Sequence, residues 1–352
     1  MHCHLLVPGF GWPQDQAGEL CSTLEAQALE TLISRGRRTG APQPAGTERW
    51  LLERFGVARQ RDWPAAPYCL LAEGGAPGSD IWVCADPVHL RFSGSHLVLS
   101  DCTQFQIARD EAVALAGSIN GHFGDSLTVY PMQAHRWYAR LAVCPDIETT
   151  PLSLMRGAAI ESGFAVGPEA MRWQALANEL QMLLHDHPVN LAREQRGELP
   201  VNGVWLWGAG QLTRPPDGQP ARAFQFVAAT DPLARGLAQA CGARAQQPEA
   251  TAQVWLALQT NADPAGIGLI VLDSLDSPAR YGDAHAWRQA LSHLECDWFA
   301  PLLAALKQGG IGMLTLHLLG TEQALDVEVA RSDLRRIWRR RRPLAQWLAR
   351  TA

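Results

Sequence analysis

The chain has 352 residues, of which 47 % are hydrophobic and 18 % are charged, and its formal net charge at pH 7 is -5. This composition supports a large apolar core, which excludes an intrinsically disordered chain, and the length allows two domains. The negative net charge argues against a general nucleic-acid binder.

A first strand is predicted over residues 4–8, and a helix within residues 17–33 follows, because apolar residues recur there at helical spacing. Residues 35–46 form a polar loop rich in glycine and proline. A second helix is predicted over residues 47–55. The break at residues 73–80 is a plausible domain boundary.

From residue 81 the sequence changes to short β-rich runs. A helix is predicted over residues 109–120, and the longest helical pattern covers residues 168–185. We expect this middle part to form an α+β domain.

The last part of the chain alternates strands and helices. Strands are predicted at residues 204–207, 267–273 and 311–319, and a helix at residues 283–306. This alternation predicts an α/β sandwich. The predicted organisation is a discontinuous α/β core of residues 1–80 and 199–352, an inserted α+β domain of residues 81–198, and a basic amphipathic C-terminal segment of residues 334–352.

Targeting signals and a disulfide framework are not expected. The first residues lack a basic region followed by a long apolar one, and no run reaches the roughly 18 apolar residues of a membrane-spanning helix. The eight cysteines include no CxxC pair and no zinc-ribbon spacing. We therefore predict a cytoplasmic protein without a membrane span, in which most cysteines are free thiols.

Two glycines, Gly208 and Gly210, end a tryptophan-rich strand. A dinucleotide-binding loop would need a third small residue where Thr213 stands, and Pro215 and Pro216 forbid an immediate helix. A phosphate-binding loop is therefore not predicted. We interpret the glycines as a strand-to-loop turn near a cleft.

Polar residues at two other places are candidates for binding. Asn190 and Arg193 follow a break in the chain, and an arginine fork suits a phosphate or a carboxylate, with a surface salt bridge as the alternative. Asp86, His89 and Arg91 are predicted around a tight turn. They form either an acid–base cluster or a turn stabilised by Asp86.

The C-terminal segment is rich in arginine, which occupies six of the eight positions from 335 to 342. A basic amphipathic segment of this kind can contact a membrane or a nucleic acid. The more common arrangement packs its tryptophans on the domain and leaves the arginines solvated.

Residues 187–210 carry the pattern H-P-V-N-x-x-R-x-x-x-G, followed by N-x-x-W-x-W-G-x-G. The pattern resembles the archaeal-type cofactor-independent phosphoglycerate mutases of the alkaline-phosphatase-like superfamily. The segments ADPVHLRFSGSHLVLSD and RWYARL resemble more closely the bacterial RpfE-type regulatory proteins. The resemblance implies an α/β core interrupted by an inserted domain. It also implies a substrate cleft beside residues 187–210, where the inserted domain returns to the core. The predicted ligand-binding residues are Asn190, Arg193, Asn202, Trp207, Gly208, Gly210, Asp86, His89 and Arg91.

The resemblance also implies a two-metal site and a nucleophilic serine, and here the chain departs from the mutases. Residues 8–13 read PGFGWP where the mutases carry metal-binding aspartates, and proline and phenylalanine cannot ligate Mn²⁺ or Mg²⁺. The serine has no clear counterpart. The relict metal-ligand candidates are Asp273, Asp276, His285 and His317.

The expected function is that of a non-catalytic regulatory or binding protein without a cofactor, because phosphoryl transfer in such a site depends on the metals. Its partner would be a small phosphorylated ligand or a protein. The alternative is an active phosphoglycerate mutase or phosphatase with rearranged ligands for Mn²⁺ or Mg²⁺. Convergence of the four relict candidates near residues 9–11 would favour the alternative.

Overall fold

The computed structural model describes residues 1–22, 24–39, 46–94, 96–213, 224–258, 266–320, 323–336, 338–348 and 351. The chain divides into two compact units. The core unit comprises Met1–Trp50 and Gly218–Ala352, and the inserted unit comprises Leu51–Asp217. No helix in the described ranges is both long and apolar enough to cross a membrane.

A seven-stranded sheet forms the centre of the core unit, with strands numbered in chain order over the whole protein. They are β1 (His2–Pro8), β2 (Arg37–Thr39), β8 (Phe226–Ala228), β9 (Arg244–Gln246), β10 (Ile267–Val271), β11 (Met313–Leu319) and β12 (Ala324–Ala330). Their order is β2-β12-β11-β1-β10-β8-β9. The strands from β11 to β9 are parallel, whereas β12 runs antiparallel to both β11 and β2.

Helices cover the core sheet because its central strands are apolar. One face of β1, carrying Cys3, Leu5 and Val7, is fully buried in the main apolar cluster. The opposite face carries His2 and His4. The helices of the core unit are α1 (Gln14–Leu20), α2 (Gln27–Arg35), α9 (Pro232–Ala240), α10 (Ala252–Leu258), α11 (Asp276–Tyr281), α12 (Ala284–Leu294), α13 (Ala300–Gln308) and α14 (Ala345–Leu348).

The inserted unit is built on a five-stranded antiparallel sheet. Its strands are β3 (Ile81–Ser93), β4 (His96–Ser100), β5 (Leu127–Gln133), β6 (Arg136–Leu141) and β7 (Gly203–Gly210). The order is β4-β3-β6-β5, and β7 pairs with β3. Its helices are α4 (Ala65–Ala72), α5 (Arg109–Phe123), α6 (Leu152–Met155), α7 (Ala170–His185) and α8 (Pro188–Gln195), and α3 (Thr47–Arg54) spans the boundary between the units.

The α/β core interrupted by an α+β unit confirms the predicted fold class, but the boundaries differ from those predicted. The sequence assigns residues 199–210 to the core, whereas β7 pairs with β3 in the sheet of the inserted unit. Helix α4, expected in the core, packs against β3 and β7. Long-range pairing of this kind leaves no local pattern in the sequence.

Three local predictions also need correction. Asp86, His89 and Arg91 do not surround a turn, because they lie within the long strand β3, which accommodates Pro87 opposite Val204. The helix predicted within residues 17–33 is two helices. The one predicted over residues 283–306 contains a π-helical turn at Glu295–Phe299.

Candidate functional site

The parallel strands of the core unit end at one edge of the sheet, and open α/β sheets bind ligands outside this edge. The turn after β1 contains residues 9–12, Thr230 lies just after β8, and Asp273 and Asp276 follow β10. This edge is therefore the place where the two-metal site implied by the mutase resemblance would lie.

The turn after β1 packs tightly and turns apolar side chains inward. Gly9 has φ of +75°, and a Cβ atom there would lie 2.5 Å from Cα of Asp276. The carbonyl oxygen of Gly9 accepts a 2.8 Å hydrogen bond from Nε1 of Trp287. Phe10 and Trp12 are buried in the main apolar cluster. The turn therefore presents no carboxylate, and a side chain at position 9 would displace helix α11.

The four relict metal-ligand candidates lie in different surroundings. Asp273 is exposed and accepts a 2.7 Å hydrogen bond from the hydroxyl of Thr230. Asp276 is buried, and its Oδ1 lies 3.6 Å from Nε of Arg280. His285 is exposed near the start of α12. Within the described ranges, no three histidine, cysteine, aspartate or glutamate side chains are grouped so that they could hold a metal ion.

His317, the fourth candidate, lies within β11, opposite Leu6 of β1. Its Nε2 is 2.9 Å from Nδ1 of His4, and its Nδ1 is 2.8 Å from Oδ1 of Asp326. The ring of Trp50 packs against the imidazole, with 4.7 Å between ring centroids. Both ring nitrogens therefore have protein partners, and the donor set does not fit the two-metal site that the resemblance implies.

The row His4–His317–Asp326 is a polar connection across three strands that the sequence analysis missed. Beside it, Nε2 of His2 lies 2.8 Å from the hydroxyl of Thr315. The available signal was the occurrence of imidazoles at alternate positions in strands that are otherwise apolar, which places them on one face.

In the inserted unit, the buried side chains of Asp86 and Trp207 are directly bonded. Nε1 of Trp207 donates a 2.7 Å hydrogen bond to Oδ2 of Asp86. Burial raises the pKa of Asp86 to about 7, although the Trp207 hydrogen bond and the charge of Arg136 act in the opposite direction. Asp86 is therefore a buried acid that titrates near neutral pH.

The two glycines at the end of β7 allow the chain that precedes α4 to approach closely. Gly208 has φ of +71°, and its N–H donates a 2.8 Å hydrogen bond to Oγ1 of Thr149. The same hydroxyl donates to Asp62. A Cβ atom at Gly210 would lie 2.5 Å from Cβ of Pro64. The glycines thus serve packing inside the inserted unit.

Asn190 and Arg193, predicted to bind a ligand, use their side chains on the protein itself. Nδ2 of Asn190 donates to the carbonyls of Leu184 and Val201, at 2.7 and 2.9 Å. The guanidinium of Arg193 donates to two backbone carbonyls and forms an ion pair with Glu111. The salt bridge expected at the surface is therefore buried, and both residues fix the chain that leads from α8 into β7.

Asn202 and His89 likewise connect this chain to β3. Asn202 exchanges two hydrogen bonds with the backbone of Leu90, at 2.7 and 2.9 Å. Nδ1 of His89 lies 2.9 Å from the carbonyl oxygen of Pro200. Arg91 is exposed on β3. The structure therefore brings most of the predicted ligand-binding residues together as the joint between β3 and β7.

A cavity of about 90 Å³ lies beside this joint, next to Trp205. Aliphatic side chains, Thr149 and three aromatic side chains line it, and helix α7 contributes the carboxamides of Gln174, Asn178 and Gln181. Nε1 of Trp205 donates a 2.9 Å hydrogen bond to the carbonyl of Thr150. Its lining contains no charged side chain among the described residues, which suits a small uncharged group.

No protein-family model matches the chain. It is 28 % identical over 157 residues to the 2,3-bisphosphoglycerate-independent phosphoglycerate mutase of Methanosarcina barkeri, covering 43 % of this chain and 39 % of the relative. It is 27 % identical over 198 residues to the probable enzyme of the same name from Geobacter sulfurreducens, covering 54 % of this chain and 49 % of the relative. The chain thus spans about half the length of these curated relatives, or less.

Among solved structures, the PH0037 protein from Pyrococcus horikoshii matches 94 % of this chain and 87 % of its own, with a TM-score of 0.55 and 14 % identity. At this identity the likeness shows the fold alone. Taken with the sequence matches, it relates the chain at low identity to proteins like the cofactor-independent phosphoglycerate mutases.

Proposed function

We propose that this chain is a regulatory or binding protein of the RpfE type, which has the mutase-like fold without phosphoryl-transfer chemistry. The observation that carries the proposal is the turn after β1. Its side chains Phe10 and Trp12 are buried, and Gly9 packs directly against the backbone of Asp276. The turn therefore supplies no carboxylate at the place where the mutase resemblance implies metal-binding aspartates.

The chemistry of phosphoryl transfer supports the same proposal. The transferred group is highly charged, and metal ions neutralise that charge and position the reacting oxygens. At this edge of the core sheet, Asp273 already accepts a hydrogen bond from Thr230 and Asp276 faces Arg280. Without bound metal ions, these two carboxylates supply no positive charge to neutralise the transferred group. The expected partners of the protein remain a small phosphorylated ligand or another protein.

The test is a measurement of metal content together with mutase activity. Purified protein is treated with a chelator, reloaded with Mn²⁺ or Mg²⁺, and incubated with 3-phosphoglycerate while ³¹P NMR follows formation of 2-phosphoglycerate. The mutase of Methanosarcina barkeri, assayed in parallel, is the positive control. We expect no interconversion and no stoichiometric metal. Stoichiometric metal together with interconversion would overturn the proposal.

The second candidate is an active mutase or phosphatase with rearranged ligands. The hydrogen bond between the Thr230 hydroxyl and Asp273 favours it, because this places a hydroxyl and a carboxylate together at the edge where ligands bind. If activity is found, Asp273→Asn should abolish it. Asp125→Asn, which changes an exposed carboxylate in the inserted unit, should leave it unchanged.

A further inference from the structure

Two arginine-rich segments of the core unit, residues 35–38 and residues 331–342, contain ten arginines and contact each other. We propose that this arginine surface, together with Trp338, binds single-stranded nucleic acid. The inference is independent of the function proposed for the edge where the parallel strands of the core sheet end.

Contacts between the two segments make them one surface. Nη1 of Arg339 donates a 2.7 Å hydrogen bond to the carbonyl of Gly36, and Nη1 of Arg35 donates a 2.8 Å bond to the carbonyl of Leu334. The backbone N–H of Arg342 donates to Oγ of Ser34 at 3.0 Å. Residues about 300 positions apart in the sequence are thereby interleaved.

Trp347 holds two of the guanidinium groups in place. Its indole is only 2 % exposed, and Cζ of Arg38 lies 4.8 Å and Cζ of Arg342 lies 5.9 Å from the ring centroid. Cation–π contacts of this kind orient a guanidinium while leaving its N–H groups able to donate. The surface is therefore partly pre-organised.

The charge of the surface is only partly balanced. Three carboxylates pair with it, joining Glu328 to Arg37 at 2.5 Å, Asp333 to Arg336 at 3.0 Å and Glu30 to Arg341 at 3.2 Å. By contrast, Arg331, Arg335 and Arg340 are exposed and have no ion-pair partner in the part of the chain that the structure describes. A local excess of positive charge thus exists in a chain whose net charge is -5.

Trp338 interrupts the arginine-rich segment 335–342 in the sequence. Trp338 is 73 % exposed, whereas Trp347 nine residues later is buried. The indole of Trp338 is therefore accessible to a partner, and it combines a large apolar surface with a polar N–H group. An exposed indole flanked by arginines in the sequence can offer an unstacked base a flat surface while the guanidinium groups bind the phosphates.

These features favour a single strand over an anionic membrane. Guanidinium forks bind phosphate oxygens in pairs, and all the basic residues of this surface are arginines. A membrane contact would require several apolar side chains to enter the lipid, and within described residues 331–348 Trp338 is the only large apolar side chain that is exposed. A duplex would not offer an unstacked base to Trp338.

The test uses the full chain and fluorescein-labelled oligo(dT) and oligo(rU) of about 15 nucleotides, with binding measured by fluorescence anisotropy between about 25 and about 300 mM salt. Three unpaired arginines predict a slope of log K against log [salt] of about -2. The double variant R335A/R340A should make the slope shallower by about 1.4. Trp338→Ala should weaken binding roughly 5- to 150-fold with the slope unchanged.

Arg172→Ala is the matched control, because it removes an exposed arginine from the inserted unit. It should retain full binding. Urea unfolding of each variant establishes that it is folded. The proposal is overturned if the wild-type chain fails to bind either oligonucleotide at low salt, or if Arg172→Ala weakens binding as much as R335A/R340A. It is also overturned if phosphatidylglycerol vesicles bind the chain through these residues while the oligonucleotides do not.

Discussion

Nε1 of Trp207 donates a 2.7 Å hydrogen bond to Oδ2 of Asp86, and both side chains are buried in the inserted unit. Asp86 lies on β3 and Trp207 on β7, so the bond joins the side chains of two strands that pair in the sheet of the inserted unit. The carboxyl group is neutral over much of the acidic range, because burial raises its pKa to about 7.

The first prediction concerns stability and pH. In the folded state the pKa of Asp86 lies above its unfolded value, so the folded chain binds this proton more tightly. The stabilisation that protonated Asp86 gives the folded chain is fully present below about pH 4. As the pH rises through about 7 this stabilisation is lost, which lowers the free energy of unfolding by up to about 4 kcal/mol. Asp86→Asn should remove this loss and be the more stable protein at pH 8. Urea unfolding of both proteins from pH 5 to pH 8 measures the difference, and parallel curves would contradict the prediction.

The second prediction concerns the row His4–His317–Asp326. Asp326→Leu leaves the N–H of His317 buried without an acceptor, which should lower the free energy of unfolding by about 1–3 kcal/mol. Glu328→Gln is the control, because it changes the same strand at an exposed ion pair and should cost under about 1 kcal/mol. If urea unfolding shows the same loss of unfolding free energy in both variants, the row stabilises the protein no more than an exposed ion pair does.

The third prediction concerns the turn after β1. Gly9→Ala adds a methyl group 2.5 Å from Cα of Asp276 at a residue with φ of +75°, so we expect a loss of about 2–4 kcal/mol from strain and overpacking. Gly242→Ala, at φ of +73° with open space around it, should cost only about 1–2 kcal/mol. Thermal unfolding of the two variants compares them directly, and a Gly9→Ala protein as stable as Gly242→Ala would refute the tight contact.

The fourth prediction separates folding from binding at Arg193. Arg193→Ala leaves the partly buried Glu111 without one of its arginine partners and frees two carbonyls, and should cost about 3–5 kcal/mol. Arg196→Ala, at a half-exposed member of the same network, should leave the free energy of unfolding nearly unchanged, because exposed ion pairs contribute little. Urea unfolding of both variants decides the point. If the Arg193→Ala protein is as stable as the wild type, Arg193 is not needed for folding, and ligand binding again becomes the favoured role of this residue.

The sequence predicts well those parts of the fold that depend on local patterns. The apolar runs at residues 267–273 and 311–319 are indeed the buried parallel strands β10 and β11, because strands covered on both faces are continuously apolar. The break between α1 and α2 is missed, because apolar residues continue at helical spacing past Leu20, where α1 ends. A periodic pattern does not reveal where a helix is interrupted.

The candidate site is predicted less well, for a physical reason. Polar residues such as Asn190 and Asn202 attract attention because they interrupt an apolar segment, yet their amides bond backbone groups of distant strands and helices. A buried hydrogen-bonding residue and a ligand-binding residue have the same local signature in a sequence. The loss of carboxylates after β1 is visible directly, because it depends only on which side chains are present.

The strand order of the core sheet also constrains the order in which the chain can fold during translation. β1 is synthesised before the inserted unit, yet it pairs with β10 and β11, which are synthesised more than 260 residues later. All five strands of the inserted unit are synthesised between β1 and β10. That unit can therefore fold before the strands that pair with β1 have been made. The apolar strand β1 therefore lacks both of its neighbours in the sheet until residues 267–319 have been made.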